Sequence, residues 1–422
     1  MSPVLVLFAS FFLLCIIRVP VAVSLGISSI ISLTMVDFET YTVIQKMFSQ
    51  LTHVSLMAIP GFVFTGIIMA KGGISQHLVE ALKAWVGHLR GGLAVVTILA
   101  CMIFAAISGS SPATAAAIGS IMIPGMVKAG YSKRYSMGLV ACAGTLGILI
   151  PPSIPLILYG VVAEESISEL FLAGIIPGII LGLTLIISAV IYAKINDFGG
   201  LPKQSWSDRR KKSMKAIWGF MLPVLILGGI YGGIVTPTEA SFVASLYAYI
   251  VSAFIYREMN FKRFRSILNE SINISSMIYL IISAAVIFGM FLTIEQIPQQ
   301  LAGWMDGNVT NKWVFMIGVN LLIFVMGMFL ESAAIILITV PIFLPMLVLF
   351  GVNPIHFAII LTINLELAMI TPPVGLNLFV VGGISKEKVG AVVSGVIPFF
   401  FLMVLVLAVI VIFPELSLFL TR

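Results

Sequence analysis

Residues 144–153 read GTLGILIPPS, and residues 365–374, which lie 221 positions later, read LELAMITPPV. Both segments are mainly apolar, and both carry a Pro-Pro pair at the same place. The same shift aligns Pro124 with Pro345, Gly130 with Gly351, Gly174 with Gly395, Pro177 with Pro398 and Ser111 with Ser332. A constant offset through so many Pro and Gly residues indicates two sequence repeats, each of roughly 200 residues, that cover the chain.

The composition places these repeats in a membrane. Of the 422 residues, 60% are hydrophobic and only 9% are charged, against roughly 25% charged residues in soluble domains. The mean hydropathy is +1.16. These values exclude a soluble globular enzyme, a disordered chain and a nucleic-acid-binding protein. The net charge of +6 is concentrated in short loops, where it reports membrane topology.

Apolar segments that are long enough to cross the hydrocarbon layer recur along the chain, and they predict an all-α polytopic membrane protein. In the first half the predicted segments are 3–17, 19–35, 52–70, 91–127, 134–162 and 170–193. In the second half they are 217–235, 239–256, 271–292, 313–350, 355–382 and 389–413.

Two of these segments, 91–127 and 313–350, are about twice as long as one crossing requires. The first is interrupted by small and polar residues at 108–112 (SGSSP), and the second at 327–332, which includes Glu331. Each segment fits either two full crossings or a re-entrant helical hairpin, and we predict hairpins. Segments 134–162 and 355–382 are interrupted at the Pro-Pro pairs, so we predict two broken helices.

Loop charges orient the segments, because Lys and Arg are enriched in cytoplasmic loops. The predicted cytoplasmic positions are Arg18, Lys71, Lys83, Arg90, Lys128, Lys133, Arg134, the basic loop 200–216, Arg257, Lys262, Arg263, Arg265, Lys386 and Lys388. The predicted outer positions are Asp37, Glu39, Glu164, Glu165, Glu169, Glu295 and Asp306. The first hairpin therefore starts from the inside and the second from the outside, so the two repeats have inverted topology.

Inverted repeats with broken helices are the architecture of secondary transporters, in which two equivalent halves exchange conformations. A channel is the main competing class, but a channel is expected to keep a continuous pore, whereas hairpins from both sides suggest a closed site at mid-membrane. An intramembrane hydrolase would need a base near Ser108, Ser110 or Ser111. The four histidines map near membrane boundaries, so we predict no enzyme and no catalytic residue.

The interruptions also predict binding chemistry. Each Pro-Pro pair removes two N–H donors and frees carbonyl groups upstream, and carbonyls with Ser and Thr hydroxyls suit a small hard cation such as Na⁺. We interpret Ser111-Pro112 as the N-cap and first residue of a helix, whose positive end suits a carboxylate. The competing interpretation is that SGSSP and the Pro-Pro pairs are kinks that serve helix packing.

Several polar side chains within the predicted membrane segments are open to two interpretations. Glu331 and Glu366 either bind cations or relay protons, or they are neutral, hydrogen-bonded structural acids. Their counterparts in the first half are Ser110 and Thr145, so the mechanism need not depend on them. Asn364 and Asn377 are candidate donors to the binding site.

The segments AISGSSPATAAAIGSIMIPGMVKAGYS and GTLGILIPPSIPLILYG, together with GGIVTPTEA and ITPPVGLNLFV, resemble the large membrane subunit (DctM-like) of the tripartite ATP-independent periplasmic (TRAP) transporters. The resemblance covers essentially the whole chain. It implies a bacterial inner-membrane, multi-pass permease that imports an organic acid with Na⁺. It also implies two partners, a small four-helix membrane subunit and a periplasmic substrate-binding protein. We expect the small subunit to be a separate chain.

The resemblance further implies elevator motion of a transport domain against a scaffold, and at least two Na⁺ sites. The residues expected to hold Na⁺ are Ser108, Gly109, Ser110, Gly144, Gly147 and Ile150 in the first half, and Gly327, Glu331, Glu366, Ile370 and Thr371 in the second. The residues expected to bind substrate between the hairpin tips are Ser110, Ser111, Pro112, Ser153, Ser332, Gly375 and Asn377.

These arguments divide the chain into a first inverted repeat (1–199), a cytoplasmic basic loop (200–216) and a second inverted repeat (217–422). The predicted scaffold helices fall in 3–70 and 217–292, and those in 3–35 and 217–256 are expected to meet the small subunit. The predicted transport elements are 91–162 and 313–382, each followed by one helix (170–193 and 389–413). The substrate is expected to be a carboxylate such as a C4-dicarboxylate or sialic acid. A proton-coupled carboxylate transporter that uses Glu331 and Glu366 is the alternative, beside the anion channel.

Overall fold

The computed structural model describes residues 2–36, 38, 40–309 and 311–421. All regular elements in these ranges are helical. The prediction that Asp37 and Glu39 face the outside therefore falls on residues that are not described. Within the described ranges, seven helices are long and apolar enough to cross a membrane by length and composition, and shorter apolar helices make up most of the remainder.

In the described part of the first half there are ten α-helices. They are α1 (Pro3–Ile16), α2 (Val21–Thr34), α3 (Thr40–Leu51), α4 (Ala58–Lys71), α5 (Ile74–Val86), α6 (Gly92–Ser108), α7 (Ser111–Lys128), α8 (Lys133–Thr145), α9 (Ile154–Ala163) and α10 (Ile167–Ile195). Short 3₁₀ turns precede α4 (Val54–Met57) and follow α8 (Leu146–Ile148).

The residues described in the second half also form ten α-helices. They are α11 (Trp206–Tyr231), α12 (Pro237–Ile250), α13 (Phe261–Ile294), α14 (Ile297–Asn308), α15 (Lys312–Gly327), α16 (Ser332–Leu349), α17 (Pro354–Met369), α18 (Leu376–Ser385), α19 (Val389–Ile412) and α20 (Glu415–Leu418). A π-helical turn, Val251–Ile255, extends α12.

The helix boundaries follow the constant offset between the two sequence repeats. Helix α16 begins and ends at the positions that this offset assigns to the two ends of α7, and α17 begins at the equivalent of the first residue of α8. Helices α18 and α19 each begin one position after the equivalents of the first residues of α9 and α10. From α7 and α16 onward the order of elements therefore repeats, whereas α13 alone spans the positions equivalent to α3 and α4. The opposed membrane orientation of the two halves stays a prediction.

The predicted basic loop 200–216 is wrong beyond residue 205, because helix α11 already begins at Trp206. The hydroxyl of Ser205 accepts a hydrogen bond from the amide of Asp208 (3.1 Å), which caps the helix. Lys and Arg are good helix formers, so the basic run continues as helix. The side chain of Lys212 then reaches Glu80 of α5 at 3.0 Å.

Two groups of helices are apparent from their packing. Helices α4, α12 and α13 pack together with α2, and α1 packs on α2. Helices α7 and α8 pack together, and α18 and α19 of the second half pack against them, while α16 packs on α9 of the first half. The interrupted helices of one half are therefore interleaved with the hairpins of the other.

Close backbone approaches stabilise both groups. The hydroxyl of Ser245 on α12 donates to the carbonyl of Gly61 on α4 (2.8 Å) and lies 2.9 Å from the hydroxyl of Thr65. On α8, a Cβ added to Gly138 would lie 2.0 Å from the carbonyl oxygen of Gly395 on α19. Small residues at helix crossings allow this contact in a protein whose helices face lipid.

Candidate substrate and cation site

The two hairpin tips meet at one internal cavity of about 80 Å³. Its wall contains the first tip (108–113), the second tip (331–333), residues beside the two helix breaks (Ile148, Ile154, Met369, Leu376) and faces of α4 and α13 (Val63, Gly66, Ile67, Ile274, Ile278). We call this space the tip cavity. It brings together Ser108, Gly109, Ser110, Ser111, Pro112, Glu331 and Ser332 of the predicted site.

The first tip is a tight reversal between α6 and α7. Gly109 follows α6 with φ of 60°, a left-handed conformation that favours glycine after a helix. Ser110 is extended (φ −137°), and α7 begins at Ser111 with Pro112 as its second residue. The prediction that Ser111 is the N-cap is therefore wrong by one residue, because the left-handed Gly109 completes the reversal earlier and places Ser110 at the cap.

A cluster of oxygen atoms lies behind the first tip. The hydroxyls of Ser108 and Thr114 are 2.9 Å apart, and Thr114 donates to the carbonyl of Ser110 at 2.9 Å. The backbone of Gly147 approaches so closely that an added Cβ would lie 2.6 Å from that carbonyl oxygen. Hydroxyl and carbonyl oxygens are ligands that suit hard cations, so Ser108, Ser110, Thr114 and Gly147 form a candidate cation site.

Thr114 was absent from the predicted site. It lies one helical turn after Ser110, and residues four apart share a helix face, so this spacing was the available signal. The other predicted cation residues of the first half occupy packing positions. Gly144 meets the backbone of Ala115, and Ile150 packs on Gly178 of α10.

The second helix break has different chemistry. The residue equivalent to Thr114 is Ile335, which has no hydroxyl. Thr371 donates to the carbonyl of Leu367 at 2.7 Å, and a Cβ added to Gly375 would lie 2.9 Å from the Thr371 carbonyl oxygen. Glu366 is fully buried, and neither of its carboxyl oxygens has a hydrogen-bond partner among the described residues.

Other predicted residues of the second half pack beside the second hairpin tip. Gly327 ends α15 against Ala368 of α17, and the carbonyl of Met328 accepts a hydrogen bond from the amide of Val374 at 3.1 Å. Ile370 is the C-cap of α17 and is buried. The break and the tip are therefore held together by backbone contacts.

Asn377 and Ser153 lie behind the tip cavity and do not line it. The Asn377 amide donates to the Ser111 hydroxyl (2.7 Å) and to the carbonyl of Ala141 (3.0 Å), and the residue is buried. Ser153 caps α9 through the amide of Leu156 at 3.3 Å. Asn364 donates to Asn320 of α15, away from the cavity. These side chains orient the elements that form the cavity.

The fold and the tip cavity define a polytopic helical permease with two interrupted hairpins around a central site. The family model for "Tripartite ATP-independent periplasmic transporter, DctM component" matches residues 8–416. The chain belongs to this family.

Three relatives illustrate the range of the family. A C4-dicarboxylate TRAP transporter large permease protein DctM of Pseudomonas aeruginosa is 43% identical, over 94% of this chain and 93% of the relative. A protein of the same description from Vibrio cholerae is 41% identical, over 95% and 94%. The sialic acid TRAP transporter large permease protein SiaM of Vibrio cholerae is 35% identical, over 89% and 88%.

Among solved structures, the Alcanivorax borkumensis YdaH transporter superposes with a TM-score of 0.64 over 98% of both chains, at 15% identity. At this identity the likeness concerns the fold alone. Family membership makes the chain an integral protein of the bacterial inner membrane and a component of a tripartite transporter. Its relatives are transport permeases, which agrees with the prediction of a protein that is not an enzyme.

Proposed function

We propose that this chain imports an organic acid together with Na⁺, and that the carboxylate binds between the hairpin tips. The single observation that carries the proposal is the tip cavity, where both tips and residues beside both helix breaks line one internal space. A small four-helix membrane subunit and a periplasmic substrate-binding protein complete the proposed system. The substrate class follows from relatives that carry C4-dicarboxylates and sialic acid.

The electrostatics of the two tips favour an anion at one tip and a cation at the other. The first turns of α7 and α16 both line the tip cavity, and the free N–H groups of a helix start favour an anion. Glu331 stands as the N-cap of α16, so its side chain disfavours a second anion there when it is ionised. We therefore assign the carboxylate to the start of α7 and a cation to the side of Glu331 and Glu366.

In this proposal Na⁺ is transported together with the acid. Ser108, Ser110, Thr114 and Gly147 would hold one ion, with Gly109, Gly144 and Ile150 shaping the loops around it. Thr371, Ile370, Glu366, Glu331 and Gly327 would hold a second. Ordinary ligand pockets are roughly 300–1,000 Å³, so the tip cavity of about 80 Å³ must widen during transport. The interleaved hairpins and broken helices suit movement as one body, which supports an elevator motion.

Uptake by proteoliposomes that contain the chain, its small subunit and its binding protein tests the proposal. Labelled succinate and N-acetylneuraminate are supplied with an inward Na⁺ gradient, a pH gradient or neither. We expect accumulation only with the Na⁺ gradient. Accumulation that is driven by the pH gradient alone would show that protons, not Na⁺, are the coupling ion. Electrical current without accumulation would indicate an anion channel.

Matched substitutions test the cation sites. Ser108→Ala and Thr371→Val should each shift the Na⁺ activation curve to higher concentration, because each removes a hydroxyl from a proposed cation site. The controls are Ser120→Ala on α7 and Thr339→Val on α16. Their hydroxyls bond to carbonyls of their own helices, and both residues lie in the helix interiors, apart from the tips, the helix breaks and the lining of the tip cavity, so these variants should keep the wild-type curve. An unchanged curve in both test variants contradicts the assigned sites.

A proton-coupled transporter is the second candidate, and Glu366 is the observation that favours it. A buried carboxyl group without a hydrogen-bond partner is expected to bind either a cation or a proton. Glu366→Gln keeps the shape of the side chain and removes the ionisable group. Proton coupling predicts that this variant loses pH-driven uptake and gains no Na⁺ dependence, whereas Na⁺ coupling predicts weaker Na⁺ activation.

A further inference from the structure

Helices α4 and α13 form one wall of the tip cavity, and they run antiparallel. The hydroxyl of Tyr279 donates to the carbonyl of Leu56 at 3.2 Å, which fixes one end of the pair. Lys71 and Glu270 form an ion pair at the other end. Between these two contacts, Gly66 of α4 and Ile274 of α13 face the tip cavity.

The wall formed by α4 and α13 continues from the tip cavity toward the loop between α12 and α13. The positive charge of this loop predicts that it lies in the cytoplasm. Ile274 also lines a second cavity of about 500 Å³, which is open and runs along one face of α13. The polar residues of that cavity are Lys262, Arg265, Ser266, Asn269, Glu270 and Asn273. A third cavity of about 440 Å³ shares Lys262 and Ser266 with it and reaches Lys71 of α4. We call the surface formed by Lys262, Arg265, Asn269 and Asn273 the inner mouth.

The inner mouth carries uncompensated positive charge. Arg263 is paired with Glu258 at 2.6 Å, and Lys71 is paired with Glu270. Among the ion pairs of the described residues, none involves Lys262 or Arg265. Both side chains belong to exposed residues, so their charge is available to a mobile anion.

The side-chain amides of Asn269 and Asn273 form the part of the inner mouth nearest to the tip cavity. Lys262, Arg265, Asn269 and Asn273 are spaced by three or four residues and therefore share one face of α13. Twelve residues separate Lys262 from Ile274, about 18 Å along a helix. Asn273 is exposed at the edge of the apolar part of α13, where a polar side chain is favourable only if water or protein covers it. The face therefore suits a water-filled path.

Basic residues at a membrane boundary also arise simply as topology signals and lipid anchors. Arg210 and Lys211 on α11 are exposed basic residues of the same predicted side, yet they line neither the tip cavity nor the inner mouth. The distinguishing feature of Lys262 and Arg265 is that they line a cavity that adjoins the tip cavity at Ile274, a residue common to both.

We propose that the inner mouth is an anion-binding path through which small carboxylates pass between the tip cavity and the cytoplasm. The identity of the cargo rests on the proposed function, whereas the binding of small anions at the inner mouth does not. Positive charge along the path raises the local concentration of anions, so Lys262 and Arg265 speed the exchange of the acid, and Asn269 and Asn273 solvate it.

Charge-selective labelling of a cysteine at Asn273 tests this path without requiring transport. The protein carries Asn273→Cys in a background with Cys15→Ser, Cys101→Ala and Cys142→Ala, and is reconstituted with the small subunit in sealed vesicles. Two membrane-impermeant thiol reagents, the anionic sulfonatoethyl and the cationic trimethylammonioethyl methanethiosulfonates, are added to each side in turn. The measured quantity is the ratio of the anionic to the cationic reaction rate.

We expect reaction from the cytoplasmic side. Adding Lys262→Gln and Arg265→Gln together should lower the ratio roughly tenfold at low ionic strength, since a charged entrance concentrates ions by at least this factor, and salt should reduce the difference. The control pair Arg210→Gln and Lys211→Gln changes the total charge equally and should leave the ratio unchanged. Equal effects of the two pairs, or no labelling from the cytoplasmic side, overturn the proposal.

The lipid composition separates a soluble anion from a lipid headgroup. The preference should persist in vesicles of phosphatidylcholine with or without phosphatidylglycerol. If it disappears when phosphatidylglycerol is present, lipid headgroups occupy Lys262 and Arg265, and the proposal is wrong. A wild-type protein that carries neither succinate nor N-acetylneuraminate would count against the proposed cargo alone, because the labelling result is independent of transport.

Discussion

Asn377 shows how one side chain joins the two halves of the protein. It lies just after the second helix break, and its amide bonds to Ser111 at the first hairpin tip and to Ala141 on α8. The sequence marked Asn377 and Ser111 as candidate site residues because both are polar and near interruptions. Their mutual contact was not predictable, since 266 residues separate them and no local pattern encodes the pairing.

Asn377→Leu should lower the thermal unfolding midpoint of the detergent-solubilised protein. Leucine has a similar size but no donor, so the substitution leaves the Ala141 carbonyl and the Ser111 hydroxyl without this partner, at a cost of about 1–3 kcal/mol. Ser111→Ala and the double variant complete a thermodynamic cycle. Strictly additive effects would show that the two side chains are not coupled.

Glu80 gives a prediction outside the candidate membrane spans. Partial burial raises its pKa, but hydrogen bonds and attraction from Lys212 and Lys83 outweigh burial, so the net pKa is below the usual value. A carboxyl group with a lowered folded-state pKa stabilises the fold above its unfolded-state pKa, and this contribution is lost as pH falls through the folded-state pKa. Glu80→Gln should therefore flatten the acid side of a plot of thermal midpoint against pH. An identical acid-side slope in the variant would contradict the assignment.

At the scale of helices, the sequence predicted the tips well and the amphipathic helices poorly. Ser110, Ser111 and Pro112 identified the start of α7 within one residue because Pro suits a first helical turn. Helices α5 and α14 are too short and too polar to be among the predicted membrane-spanning segments, although the amphipathic pattern of α5 is typical of a helix. The polar first turns of α13 lie outside the predicted segment 271–292 for the same reason, and they contain Lys262, Arg265 and Asn269 of the inner mouth.

The approach of Gly147 to the first tip gives a prediction at this scale. Gly147→Ala places a methyl group 2.6 Å from the Ser110 carbonyl, so the tip or the break must shift, at a cost of about 1–3 kcal/mol. Apparent Na⁺ affinity in the uptake assay should fall about tenfold for each 1.4 kcal/mol that affects binding. Gly125→Ala on α7 is the control, because no described atom beyond the adjacent backbone of its own helix lies within 4 Å of its added Cβ. Equal Na⁺ affinities in the two variants would rule out the proposed role of Gly147.

The whole molecule combines two copies of one helical pattern, which were recognisable from the constant offset between equivalent Pro and Gly positions. The repeat fixes the order and the lengths of α7 and α16. Sequence alone did not reveal the exchange of partners, in which α18 packs on α7 and α16 packs on α9. These contacts depend on surface shape at positions far apart in the chain. The exchange matters because it links both tips to both helix breaks, so a displacement of one is transmitted to the others.

Opposed orientation of the two copies is the prediction on which the alternating-access proposal depends. Arg90, before the first hairpin, should face the cytoplasm, and Asn308, before the second, should face the periplasm. Both residues are exposed, so Arg90→Cys and Asn308→Cys in the background without native cysteines should react with an impermeant maleimide from opposite sides of intact membranes. Ser207→Cys on α11 is the control and should react from the same side as Arg90→Cys, because basic loops place both in the cytoplasm. Labelling of Arg90→Cys and Asn308→Cys from one side would make the copies parallel, and parallel copies cannot present equivalent hairpins to the two faces of the membrane.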